Sequence, residues 1–179
     1  MRKLLITLTA LLLAAFVAPV QAFDPDINDP LQLDVQKSII AIKKADPGIE
    51  AFFENAAGYA VFPNVRKGGF IIGGAYGKGL VIVGEKVDGY TSMSQGTIGL
   101  QAGGQKYSQF IFFKDDVALG HFKRGNFELG AQASAVAVTA GASADAAYDK
   151  GVAIFTHPIG GLMFEGTVGG QRFKYTAKE

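Results

Sequence analysis

Leu31, Val35, Ile39 and Ile42 recur at intervals of four, four and three, which sets them on one face of a helix ending near Ala45. Asp29-Pro30 stands in front as an N-cap followed by a proline at the first helical position. Asp46-Pro47 repeats that start, and Ile49, Phe52 and Phe53 mark a second, shorter helix that Gly58 terminates. From Tyr59 onward the texture changes to short apolar or alternating runs with glycine at nearly every boundary. The strand candidates are 59–62, 69–75, 80–86, 90–100, 106–113, 127–138, 152–156, 162–168 and 172–176. The segment 127–138 alternates most clearly, with Phe127, Leu129, Ala131, Ala133 and Ala135 on one side. Asp88-Gly89 and Gly169-Gly170 read as tight hairpin turns. One helix interrupts the strands, opened by Asp115 and Asp116 and closed by His121, Lys123 and Arg124 before Gly125. The expected fold is therefore α+β. Two N-terminal helices pack on a strongly curved antiparallel sheet of about eight strands with one inserted helix.

The first residues change the compartment. Arg2 and Lys3, the apolar run Leu4–Val17, Pro19 and Val20-Gln21-Ala22 form the three regions of a secretory signal peptide. The run is short against the ~20 residues of a membrane span. The expectation is a signal peptide over residues 1–22, cleavage after Ala22, an extended arm over 23–30 and one domain over 31–179. The protein is then exported to the periplasm or cell envelope, soluble or peripherally associated with the membrane. Losing Arg2 and Lys3 takes the formal charge from +1 to −1. A near-neutral domain argues against a nucleic-acid binder. With no cysteine in the chain, disulfides, lipid attached to an N-terminal cysteine and thiolate chemistry are excluded. Stability rests on packing, to which the phenylalanines, fourteen in the full sequence and thirteen after Ala22, supply much of the area.

The glycine-dense stretch Gly58–Gly79 invites a phosphate-loop reading, which fails. Gly77-Lys78 is followed by Gly79 where a magnesium-binding hydroxyl is needed, and Ile72 holds the place of the first glycine. Ile72 also breaks a dinucleotide fingerprint. Two histidines, His121 and His157, occupy a helix end and a strand end, with no HExxH and no GxSxG nearby. Asp115 and Asp116 read as helix caps, and Asp145 and Asp149 as surface. No catalytic residue, metal site or cofactor is expected. The glycines read as devices for strand bulges and sharp coiling.

What remains is a mixture of bases and aromatic rings: Arg66 and Lys67 before Phe70, Lys78 beside Tyr76, Lys123 and Arg124 flanking Phe122, and Arg172 and Lys174 flanking Phe173. Each cluster reads either as solvated bases over core rings or as a surface that meets lipid phosphates while rings enter the interface.

The stretch AAGYAVFPNVRKGGFIIGGAYGKGLVIV resembles the signature of the SYLF domain family: a helix end, a strand closed by Phe-Pro, a basic turn, then glycine-spaced strands. Gly99–Gly104, Phe110–Phe113 with Asp115–Phe122, Lys150–Phe155 and Gly160–Gly166 are similar to its later pieces in order, covering roughly residues 31–176. The resemblance implies a non-enzymatic lipid-binding domain, tied in eukaryotic relatives to phosphoinositide membranes and in some to actin. This N-terminal arm carries Asp24, Asp26, Asp29 and Asp34 where some relatives have a basic amphipathic helix. A bacterial-type leader also points away from actin, so actin is not expected as a partner. The lipid-binding residues expected are Arg66, Lys67, Lys78, Phe70, Tyr76, Lys123, Arg124, Arg172 and Lys174, facing an anionic phospholipid or membrane surface. Two other functions stay open. One is a structural envelope protein that binds another protein; the other is a carrier that encloses an acyl chain in its curved sheet beside the small faces of 131–137.

Overall fold

The computed structural model describes residues 23–125, 127–129, 135–168 and 170–179, without the side chains of Glu128 and of residues 162–168. The expected leader, 1–22, lies outside the described residues. Helix α1 spans Pro30–Ala45, and the Asp29 carboxylate caps it by accepting from the backbone N–H of Leu31 at 2.9 Å. Its apolar stripe is buried as the periodicity requires, with Val35 and Ile42 fully enclosed. Each such side chain is worth about 1.5–3 kcal/mol. The phenol of Tyr90 donates to Asp29 at 2.9 Å and ties the helix start to the sheet. Burial raises the Asp29 pKa, but hydrogen bonds from Tyr90, Gln32 and the first-turn amides outweigh it and leave the carboxyl below its ordinary range.

A 3₁₀ turn, Pro47–Ile49, leads into the six-residue helix α2, Glu50–Asn55. Phe52 and Phe53 sit next to each other on α2, yet both reach the core because they straddle Phe112. Their ring centroids lie 5.6 and 4.9 Å from it. Asp46 is nearly inaccessible, and its carboxylate accepts backbone N–H groups from Gly48 at 3.2 Å, Gly141 at 3.3 Å and Ser143 at 2.7 Å. It thereby pins the helical region to the distant 3₁₀ turn Ala142–Asp145.

Beyond the helices the chain is mostly strand. β1 runs Gly58–Val83 and β2 runs Lys86–Phe113, a single ribbon 26 and 28 residues long on its two sides. Helix α3, Asp116–Lys123, follows with Asp115 as its cap, its carboxylate accepting from Ala118 N at 2.9 Å. The rest is β3 (Glu128–Leu129), β4 (Val136–Ala137), β5 (Val152–Val168) and β6 (Gln171–Ala177). These make one six-stranded sheet in which β2 pairs antiparallel with β1, β5 and β6. Among the described residues the expected eight or so strands become six, because glycines read as boundaries lie inside long strands. The sheet also departs from a purely antiparallel pattern, since β4 pairs parallel to β5. Of the expected strand 127–138, residues 130–134 lie outside the described residues.

The ribbon folds back on itself. A side chain on Gly79 would collide with the Val61 carbonyl oxygen, because the two limbs of β1 lie against each other there. One core fills the fold, from Phe62, Phe113 and Met93 to Phe173, with α3 closing it through Leu119 and Phe122. A second core lies on the opposite face, where Val61, Leu80, Phe110, Phe112 and Phe155 meet α1. Neighbours alternate between the two: Ile111 and Phe113 join one core, Phe110 and Phe112 the other. Burial on both faces explains why these strands read as unbroken apolar runs.

Two turn expectations resolve differently. β1 and β2 connect through Gly84 and Glu85, both at positive φ (53° and 67°), as a two-residue hairpin turn of this hand needs. Asp88 and Gly89 belong to β2 instead. Gly89 is required by the close passage of β6, since a side chain there would come within 2.5 Å of the Thr176 carbonyl oxygen. Gly169-Gly170 does fall between β5 and β6, with residue 169 outside the described residues.

Candidate functional site

The fold-back of the ribbon creates a corner at Gly69–Gly73 of β1 and Thr97–Gly103 of β2. Phe70 pairs with Ala102 and Ile72 with Ile98, so three β2 residues oppose Ile71 alone. The excess bends the ribbon, and Ile71 takes a left-handed φ of 65°, a strained conformation for a β-branched residue. Gln101, 2% exposed, fills the inside of the corner. Its Nε2 donates to the Ile71 carbonyl at 3.2 Å, while its Oε1 accepts from the Thr97 hydroxyl at 2.9 Å. A side chain on Gly73 would strike the Gln101 amide at 2.6 Å, which is why glycine stands there.

The outside of the corner is apolar and bare. Phe70 is 75% exposed, Ile71 57%, Ile72 70%, Ile98 70% and Leu100 73%. In the other direction along the ribbon come cations. Arg66 pairs directly with Lys106, and Lys67 with Gln105. At about 3.3 Å per residue, Lys67 stands ~10 Å and Arg66 ~13 Å from Phe70. Directly opposed like charges destabilise a strand pair by roughly 0.2–1 kcal/mol, so the Arg66–Lys106 pair acts against folding unless an anion screens it. No carboxylate occurs in β1, nor in β2 from Gly89 to Phe113. β5 brings Glu165 opposite Gln101 in register.

The remaining expected residues separate into two other places. Lys78 and Lys174 both pair with Ser92, and Tyr76 and Arg172 both pair with Ser94. These four residues therefore share one exposed face of the β1–β2–β6 limb. Lys123 is engaged elsewhere. Its ammonium meets Asp88 at 2.7 Å and lies 5.7 Å from the Tyr175 ring centre, while the Tyr175 hydroxyl donates to the same carboxylate at 2.6 Å. Burial first, then Asp88, pushes the Tyr175 phenol pKa well up. Arg124 is exposed at the end of α3. Phe122 and Phe173, the rings these bases flank, are core. The interior that an acyl-chain carrier needs is occupied by Phe62, Phe113, Phe122 and Phe173, and the small faces at 131–134 lie outside the described residues.

A cleft of about 620 Å³ opens outside the sheet between α1, α2 and Tyr59, with Ile39, Ile40 and Phe53 among its walls. Lys43 spans it, bonded to Glu50 at 2.9 Å and resting 4.6 Å over the Phe53 ring. Among the described residues no group of three or more His, Asp or Glu is placed to hold a metal. No described helix is long and apolar enough to cross a membrane.

Reasoning from sequence named Phe70, Tyr76 and the flanking bases as candidates and did not name Ile71, Ile72, Ile98, Leu100 or Lys106, which the structure places at the same corner or opposite Arg66. For Ile71 and Ile72 the available signal is their place between two glycine pairs, Gly68-Gly69 and Gly73-Gly74.

A family model described as "Ysc84: Las17-binding protein actin regulator" matches residues 94–173. The match takes in Ile98, Leu100, Gln101 and Lys106 and leaves β1 outside it. The chain is also similar to "Beta cell expansion factor A" of Aeromonas veronii, 30% identical over 138 residues, 76% of this chain and 52% of that protein. It thus spans about half the length of the curated relative that it matches.

Proposed function

We propose, starting from the chain's membership of the Ysc84 (SYLF) family, that it is a non-enzymatic module for binding anionic phospholipid at a membrane surface. The observation that carries this reading is the opposed pair Arg66–Lys106 beside a bare apolar corner, on a ribbon that holds no carboxylate in β1 or in β2 from Gly89 to Phe113. Lipid phosphates relieve the repulsion between the two cations, each basic residue near an anionic surface contributing about 1 kcal/mol. Lys78, Lys174, Arg172 and Tyr76 offer a second basic-aromatic face along the same ribbon.

Export completes the proposal. The signal-peptide pattern over 1–22 supports secretion with cleavage after Ala22. Phe23, the first residue of the processed chain, packs into the α1 core at 5% exposure. Mass spectrometry of the cell-envelope fraction tests this, and an intact Met1 form in the cytoplasm would contradict it. Flotation with vesicles of increasing phosphatidylglycerol content tests the lipid reading. Binding should rise with anionic content and fall with salt. The family description's mention of actin marks a second reading, favoured instead if the protein cosediments with actin filaments and ignores vesicles.

A further inference from the structure

We infer that the ribbon corner is a preformed wedge that enters the acyl layer of the bilayer, with Phe70, Ile71, Ile72, Ile98 and Leu100 as its inserted surface and Gln101 as the residue that holds its shape. This deepens the lipid-binding reading and rests on it. Five large apolar side chains more than half exposed at one corner cost solvation in water, and core packing would place them inward. They face outward because Gln101 occupies the inside of the bend, bonded to the carbonyl of Ile71 and to both polar groups of Thr97. The hydrogen bond from Gln101 to its carbonyl holds Ile71 at its strained φ. A wedge set in advance binds without an ordering cost.

The spacing of charge from the apex names the occupant. Apolar faces of interfacial elements sink ~5–10 Å into the boundary between headgroups and acyl chains. With Phe70 at that depth, Lys67 at ~10 Å and the Arg66–Lys106 pair at ~13 Å along the strands stand level with lipid phosphates. A purely apolar protein groove would match the apex but offer no anion to the opposed Arg66–Lys106 pair.

The chain contains no tryptophan, so one introduced ring reports on its own site. Ile72→Trp places it on the apex, and Val117→Trp places it on an equally exposed position of α3 (both native residues 70% exposed). Each variant is mixed with phosphatidylglycerol–phosphatidylcholine vesicles whose acyl chains carry bromine, and the bound fraction is measured by sedimentation in the same samples. The expected result is a blue shift and strong quenching for Ile72→Trp, with neither for Val117→Trp. Phe70→Asp combined with Leu100→Asp should lower vesicle partitioning at least tenfold with an unchanged melting curve. Sedimentation with the vesicles without quenching at residue 72 would overturn insertion while leaving surface binding intact. Absence of sedimentation would overturn both, and would leave the apex to a protein partner.

Discussion

Gly79→Ala adds one methyl group where the two limbs of β1 meet. The new carbon overlaps the Val61 carbonyl oxygen, lies 2.8 Å from the Phe62 ring and 3.0 Å from the Val61 carbonyl carbon. The oxygen belongs to a backbone held in the sheet, so it cannot rotate away as a side chain would. Relief requires the limbs to separate, which loosens the packing around Phe62. Overpacking of this kind costs about 1–3 kcal/mol. For a domain of this size each kcal/mol moves Tm by about 2–4 °C, so Gly79→Ala should melt roughly 2–12 °C below the parent. Gly96→Ala is the control, because no heavy atom lies within 4 Å of the added carbon and the backbone there is not left-handed. It should be neutral or slightly stabilising, by up to about 1 kcal/mol. Scanning calorimetry on the two variants decides the matter. Equal losses would mean that these glycines serve strand flexibility rather than close approach, and parental melting of Gly79→Ala would mean that the limbs do not touch there.

Phe52→Ala removes a ring that packs 4.8 Å from Phe155 and 5.5 Å from Tyr148 and should cost about 3 kcal/mol in urea unfolding. At Asp46, burial raises the carboxyl pKa, but the hydrogen bonds from Ser143, Gly48 and Gly141 outweigh it and hold the net value below the ordinary range. A depressed folded-state value contributes stability at neutral pH and loses it as pH falls through that value. The stability gap between the parent and Asp46→Asn should therefore be constant above about pH 5 and shrink below about pH 4. Lys123→Ala should cost up to about 1 kcal/mol through its half-exposed pair with Asp88, while vesicle binding stays at the parental level.

Local signals made the helices legible. Asp29-Pro30 and the Leu31–Ile42 stripe, and Asp115 before Ala118, carry capping and periodicity within a few residues of each other. The sheet was less legible, because a glycine inside a long strand and a glycine ending a short one look alike until pairing is known. The hairpin turn at Gly84-Glu85 left no signal, since glutamate is an uncommon residue at positive φ. The same limit hid half of the candidate site. Ile98 and Leu100 alternate as core residues do, and only the bend imposed by three residues against one turns them outward. Lys123 read as a cation open to lipid because its partner, Asp88, is 35 residues away.

The most direct measurement of the central claim is vesicle flotation of the chain recovered from cells, its N-terminus checked by mass spectrometry, beside two charge-reversed forms. One carries Arg66→Glu with Lys106→Glu, which leaves like charges opposed and changes only their sign; the other carries Arg124→Glu at the end of α3. Neither should melt differently from the parent, since Arg66 and Arg124 are exposed, Lys106 is half-buried, and the like-charge opposition is kept in the double form. Phosphatidylglycerol vesicles should carry the parent and the Arg124→Glu form upward and leave the Arg66/Lys106 form behind, with the parent released as salt rises. Undiminished, salt-sensitive flotation of the Arg66/Lys106 form would contradict that claim.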